Sequence, residues 1–294
     1  MQKKQFWTGV AFMLPITVVL FAFLFLPVIQ SFYYSLTDWK GIGSYEWIGF
    51  RNYANIFGDP AFVDSVKRTL VIGITAAVLT NLCGLAFAML LDRQLKTKSL
   101  LRALFYLPNI IPVVVAAFIW RYILDANNGM LNQLLGKLAG SRITTPWIDS
   151  PDYVVWSIIV IAVWQMMGPV IIIYLAALQG VSHEMKEAAM IDGASKPSIF
   201  YHVTLPLITP GITVNVLIGL ANGIRIFDLP FALTGGGPAN ASETLAIRIY
   251  RFAFQTSELS YGMASSFILT LLALVITFFF VAISRRIERG AHGG

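Results

Sequence analysis

Two groups of residues in this sequence have the types and spacing to do chemistry. The first lies between Val181 and Pro206, where Glu187-Ala188-Ala189 is followed by Asp192-Gly193 and then by Val203, Leu205 and Pro206. Residues 182–192 are strong helix formers, with Ser182 placed to cap the helix and Gly193 placed to end it. Ser195 can cap a second short helix that tolerates Pro197 in its first turn. Helical spacing puts Met185, Ala188 and Ile191 near one face, with Glu184 and Glu187 on its flank. The chemistry is that of a contact surface. Ala188 and Ala189 permit close approach, the Glu187 carboxylate can pair with an arginine or an amide, and Gly193 permits a sharp turn. A connector lying on a surface and a plug for a partner's groove both fit.

The second group consists of polar residues inside otherwise apolar runs: Trp164 and Gln165, then Asn215, Gly219, Asn222, Gly223 and Arg225. Such groups are costly in lipid and normally face an interior cavity. Gln165 and Asn222 offer amides to hydroxyl groups, and Trp164 offers an aromatic face. Gly168 and Pro169 are able to break the helix that carries them. Gly219 and Gly223 have the spacing that lets a second helix approach, with Asn215 bonding across that contact. Arg225 and Asp228, three apart, favour a local ion pair. No catalytic arrangement accompanies these residues. Gly235-Gly236-Gly237 lacks the Lys-Ser/Thr of a phosphate loop. The single cysteine, Cys83, and the three histidines form no metal-ligand pattern. Cys83, Met166 and Met167 read as packing residues, His183 and His202 as solvated.

The elements that must position these groups are membrane helices. The 294 residues are 57% hydrophobic and only 12% charged, with a mean hydropathy of +0.71. Soluble globular proteins carry about 25% charged residues, so a water-soluble enzyme and a disordered chain are both excluded. A span needs about 20 apolar residues to cross roughly 30 Å of hydrocarbon. Six windows free of charged residues and histidine meet that need: 5–37, 69–91, 103–120, 153–182, 203–224 and 259–284. Each can hold one helix, because backbone amides in lipid must be satisfied within the segment. The first is too long for a signal peptide and has no small-residue cleavage site, so it reads as an uncleaved helix. A seventh apolar stretch, 229–242, is short and broken by Gly235, Gly236, Gly237 and Pro238; it reads as a loop or re-entrant piece at the surface.

Basic residues are densest in the short 92–102 connection (Arg93, Lys96, Lys98, Arg102) and in the tail (Arg285, Arg286, Arg289). With Lys3, Lys4, Lys186 and Lys196 they place both termini and the 180–206 segment in the cytoplasm. The net charge of +6 suits anionic lipid, and no nucleic-acid motif is present. Outer segments rich in aromatic residues, among them Trp39, Tyr45, Trp47, Phe50, Tyr53 and Phe57, read first as an interfacial belt and second as a docking face.

The pattern from Glu187-Ala188-Ala189 through Gly193 to Val203-x-Leu205-Pro206 resembles the EAA signature of permease subunits of bacterial binding-protein-dependent ABC importers, with Val203 where the family usually has isoleucine. Gly49-Phe50-Arg51-Asn52-Tyr53, Leu233-Thr234-Gly235-Gly236-Gly237-Pro238 and Glu243-Thr244-Leu245 are similar to the first of two paired permeases in carbohydrate importers of the maltose and glycerol-phosphate kind. The resemblance implies an all-α polytopic fold of six transmembrane helices, the type I importer permease. It implies one permease domain over 1–294, with its core at about 66–285 and a coupling loop at 180–206. Glu187, Ala188, Ala189, Asp192, Gly193, Leu205 and Pro206 would then couple to a dimer of ATP-binding subunits. ATP and magnesium would reside in those subunits and no cofactor in this chain. The other implied partners are a second permease, in a heterodimer, and an external solute-binding protein. The inner membrane of a bacterial cell is the implied location.

The same architecture could serve a polyamine, an amino acid or an oxyanion, although the intramembrane acidic cluster that suits a polyamine is missing. An ion-driven secondary transporter needs buried carboxylates or histidines, and the six windows contain none.

Overall fold

The structure, a computed structural model, describes residues 2–93 and 96–292. The side chains of Lys3, Lys4 and Arg289, used above for topology, lie outside the described residues. In chain order the helices are α1 (Gln2–Leu20), which passes through a π turn (Phe21–Phe25) into α2 (Leu26–Ser35), then α3 (Arg51–Gly58), α4 (Pro60–Leu91), α5 (Lys98–Ile110), α6 (Val113–Ile123), α7 (Met130–Ala139) and α8 (Pro151–Gln179). They continue with α9 (His183–Ile191), α10 (Lys196–Ile199), a π turn (Phe200–Thr204), α11 (Leu205–Leu207), α12 (Thr209–Ile224), α13 (Asp228–Thr234), α14 (Leu245–Phe254) and α15 (Leu259–His292). A single bridge, Thr37 to Trp47, is the only extended pairing among the described residues.

Among the described residues, four stretches are long and apolar enough to cross a membrane unbroken: Val10–Ser35, Pro60–Leu91, Pro151–Gln179 and Leu259–Arg286. The third and fifth apolar windows are bent pairs, not single helices. Lys98–Ile110 and Val113–Ile123 meet at 98°, and Lys196–Leu207 and Thr209–Ile224 at 67°. With each pair counted as one crossing, the candidate spans among the described residues number up to six. The first bend has a proline cause. Pro112 lacks an N–H and drives Ile111 out of the helical region, and Ile111 is extended at φ −69°, ψ 126°. At the second bend Pro210 sits in the first turn of α12 and Ile208 is fully buried. Broken backbone is tolerated at membrane depth where protein encloses it.

Two local expectations fail. Gly168-Pro169 does not break α8, which runs through both as one helix of 29 residues. Gly168 marks a close crossing instead: a Cβ there would lie 2.6 Å from the Phe105 carbonyl oxygen and 2.7 Å from Tyr106 Cα, both on α5. The stretch 229–242 lies at the surface only in part: Ala239 and Asn240 are exposed, but its helix is packed inward. Leu229 and Leu233 of α13, one turn apart, are 4% and 1% exposed and join Ile72, Ala76, Ala117, Ile158 and Ile161 in one apolar cluster. The glycines and Pro238 form the tight return that follows α13. There Ser242 Oγ donates to Gly237 O at 2.6 Å and lies 2.7 Å from Thr234 Oγ1.

The chain divides into two compact units, residues 1–63 with 248–271, and 64–247 with 272–294. The first is knit by polar contacts. Asn52 Nδ2 donates to the carbonyls of Ser35 and Thr37, Tyr53 Oη lies 2.7 Å from Ser35 Oγ, and Ser260 Oγ donates to Trp39 O. Arg248 pairs with Asp59 and covers the Phe252 ring. Trp39 stacks on Tyr34 with ring centroids 4.4 Å apart and Tyr45 packs edge-on beside them, whereas Phe50 and Phe57 are exposed.

The second unit holds the cluster around α13. It also holds another, in which Ala88, Leu91, Ile171, Tyr174, Leu178 and Ile208 pack together. Its helices approach closely through small residues. Gly73 of α4 meets Gly223 of α12, and Gly219 lies over Ala77, the small-residue contact expected of helices in lipid.

Candidate functional site

Both features that the sequence singles out fall within the second unit. The first is an open cavity of about 620 Å³ at the α5–α6 break, walled by α8 and by the turn from α12 into α13. Its polar groups are Asn109, Gln165, Asn222, Arg225 and Asp228. The volume lies within the roughly 300–1,000 Å³ of small-molecule sites. Gln165, 7% exposed, donates from Nε2 to the Ile111 carbonyl at 3.2 Å. That carbonyl loses its helical partner where the chain turns at Pro112, so the amide both seals the break and borders the cavity.

The ion pair expected between Arg225 and Asp228 does not form. Three-residue spacing brings side chains together only on a continuous helix, and α12 ends at Ile224 while α13 begins at Asp228. Arg225 sits at the C-cap of α12 and donates Nε–H to Ala221 O at 3.1 Å; Asp228 occupies the first turn of α13. Each charge lies at the helix end that favours its sign.

Of the expected path residues, Gln165, Asn222 and Arg225 share this cavity. Gly219 and Gly223 line a smaller chamber of about 110 Å³ as well as the contact with α4. Trp164 is not brought to either wall: it packs edge-to-face on Trp120 at 5.4 Å. Asn109 and Asp228 were not singled out as cavity residues. The signal for Asn109 was the run Pro108-Asn109-Ile110-Ile111-Pro112, an amide between two prolines inside an apolar window. The wall offers hydrogen-bond donors and acceptors and one charge of each sign, groups that can hydrogen-bond a neutral polar molecule.

The second feature is α9 with its turn. None of its nine residues is buried, and Met185, Met190 and Ile191 are exposed apolar side chains. The helix ends in a full Schellman motif. Gly193 N–H donates to Met190 O at 3.1 Å and Ala194 N–H to Ala189 O at 3.0 Å, with Gly193 at φ +81°. A Cβ on Gly193 would meet nothing within 4 Å, so backbone conformation, not space, calls for glycine. Ser182 and Ser195 stand at the N-cap positions but neither hydroxyl makes a cap bond. Glu187 lies 3.3 Å from His183 Nδ1. Glu187, Ala188, Ala189, Asp192 and Gly193 thus share one outward-facing helix and turn. Leu205 and Pro206 stand apart from it in α11, where Leu205 packs against the cluster around Ile208.

Over 288 residues the chain is 32% identical to the probable starch degradation products transport system permease AmyD of Thermoanaerobacterium thermosulfurigenes, covering 97% of this chain and 96% of that one. It is 29% identical over 278 residues to the trehalose/maltose transport system permease MalF of Thermococcus litoralis, covering 94% and 93%. Its fold matches a chain of a bacterial ABC transporter that imports the acidic polysaccharide alginate, with a TM-score of 0.83, 24% identity and 97% of each chain covered. The all-α polytopic fold is therefore that of type I importer permeases. Because residues 80–292, which include the cavity, α9 and its glycine turn, match the family described as binding-protein-dependent transport system inner membrane component, the chain belongs to that family and is the membrane-embedded permease of an importer.

Proposed function

We propose that this permease, as one transmembrane domain with its core at about 66–285, forms the path by which a sugar or oligosaccharide enters the cell. An external solute-binding protein delivers the solute. ATP, with magnesium, is hydrolysed in a separate pair of ATP-binding subunits, and a second, homologous permease completes the path. Both termini and α9 face the cytoplasm. The relatives named for starch products and for trehalose and maltose support the solute class. The observation that carries the reading is the cavity wall, where Gln165, Asn222 and Asn109 present neutral amides to a space the size of a small saccharide.

In this account α9 is a lever. ATP-driven closure of the partner subunits moves a rigid helix whose end is set by Gly193, and the motion passes through α10 and α11 to α12, which carries Asn222. Affinity purification in mild detergent, followed by mass spectrometry, tests the assembly. An ATP-binding subunit and a second permease are expected to accompany the chain, and uptake of labelled saccharides by the reconstituted complex tests the solute. A chain that purifies alone, with no ATP hydrolysis, would overturn the reading.

A further inference from the structure

The connection from α6 to α8 carries α7, and the two exposed flanks of that helix differ. Met130, Leu134 and Leu138, at intervals of four, line one flank with exposed apolar side chains. Gln133 and Lys137, also exposed and four apart, line the adjoining flank. The face turned to the protein carries Asn132, which is buried, and Leu131 and Leu135, which are half-buried. A flank of three exposed apolar residues beside a polar one is the pattern of a helix lying in a membrane surface.

A hollow of about 190 Å³ opens on the apolar side, lined among others by Trp120, Leu131, Trp147, Tyr153, Trp156 and Val160. Its mouth is continuous with the membrane-facing side of a span. Tyr153, Trp156 and Val160 follow at intervals of three and four on the first turns of α8, and all three are exposed. The hollow has little to offer a sugar: the Ser157 hydroxyl, its one polar neighbour besides the aromatic rings, already donates to Trp147 O at 2.8 Å. A second hollow, of about 460 Å³, lies along the polar side. Its wall holds Asn132, Gln133, Lys137 and Arg142 and, among the described residues, no carboxylate. Neither Lys137 nor Arg142 has an ion-pair partner among the described residues. A bonded pair stands between the hollows. Trp147 Nε1 donates to Asn132 Oδ1 at 2.8 Å, and Asn132 Nδ2 donates to the Ala126 and Thr145 carbonyls at 3.0 and 2.9 Å. The indole is thus held in place by α7 before anything binds.

A phospholipid has the same division, an apolar chain joined to an anionic phosphate. We propose that α7 is a membrane-surface helix with a phospholipid bound across it. The acyl chain enters the aromatic hollow beside Leu131 and lies against Leu134 and Leu138, and Lys137 and Arg142 hold the phosphate. Two observations choose lipid over a protein partner: the aromatic hollow opens onto the membrane face of α8, and the two cations lack carboxylates. Tryptophan and tyrosine at the mouth suit the headgroup level of a bilayer. On the topology proposed above, the leaflet is the outer one.

The complete importer, in nanodiscs of palmitoyl-oleoyl phosphatidylglycerol doped with the same lipid carrying a diazirine in its acyl chain, would be irradiated and its adducts mapped by mass spectrometry. Adducts are expected at Leu131, Leu134, Trp147 or Trp156. In Lys137→Gln/Arg142→Gln, two exposed positions, the yield there should fall at least threefold relative to all other adducts on the chain. No adduct at those four residues, with labelling elsewhere on the chain, overturns the lipid site and leaves the face to water or a protein partner. Adducts that persist undiminished in the double variant would be those of bulk lipid and would overturn the phosphate-holding pair. None of these residues lines the solute cavity, so neither failure bears on the proposed path.

Discussion

Gln165 on α8 donates its side-chain amide to the main-chain carbonyl of Ile111, 54 residues earlier, at the point where the third span breaks. A bend of 98° frees that carbonyl from its helical partner, and the amide takes the partner's place at the edge of the cavity that Ile111 also lines. The bond therefore joins the stability of the bend to the wall of the proposed solute cavity.

Replacing Gln165 with leucine removes the donor. A loss of roughly 0.5–1.5 kcal/mol is expected, read as a lower melting temperature of the purified complex together with reduced uptake. Gln165→Met, which keeps the side chain's length and cannot donate, should resemble leucine and not the parent. A leucine variant with parental melting temperature would show that the bend stands without this bond.

The glycine contacts should rank by geometry. A Cβ on Gly73 or Gly223 would lie 2.6 Å from the main chain of the other residue, whereas on Gly219 it would lie 3.1 Å from the Ala77 methyl. Overpacking typically costs about 1–3 kcal/mol. Gly73→Ala and Gly223→Ala are thus expected to lower thermal stability clearly and Gly219→Ala much less. Equal losses at all three would contradict the contact.

At the proposed lever, Gly193→Val forces a β-branched residue to φ +81°, a conformation that costs an L-residue roughly 1–2 kcal/mol or more. Since α9 buries nothing, the chain should still insert. Uptake should fall while ATP hydrolysis by the complex continues, and Gly193→Asn, which tolerates the left-handed region, should retain more uptake. Parental uptake in the valine variant would remove the case for a rigid turn.

In the other unit, Arg248 and Asp59 form an ion pair whose side chains are 13% and 27% exposed. Pairs this protected lose more when one partner is removed than surface pairs do. Arg248→Ala and Asp59→Asn should each destabilise by roughly 1–3 kcal/mol, and the double variant by less than their sum. Strict additivity in a thermal-denaturation cycle would argue against a coupled pair.

Composition and charge-free windows determined by themselves that this is a helical membrane protein, because the hydrocarbon thickness leaves little choice of element or length. Local chemistry was equally legible at α9. Helix formers bounded by Gly193 need only short-range hydrogen bonds to become a helix and a Schellman turn. The windows 103–120 and 203–224 read as one helix each; the breaks at Pro112 and Pro210 and their angles came only with the fold, since a bend is set by what the freed backbone groups find to bond. Tertiary structure alone decided the rest. Whether Gly168 breaks a helix or admits a neighbour depends on α5 lying against it. Whether Leu229 and Leu233 face solvent or the core depends on contacts with residues far away in the sequence. Arg225 and Asp228 stay apart because one helix ends and another begins between them, so three-residue spacing carries no geometry there. Trp164 turns to Trp120 and Asn215 to the Val170 carbonyl for the same reason: side-chain partners come from other helices, and periodicity along one helix cannot name them.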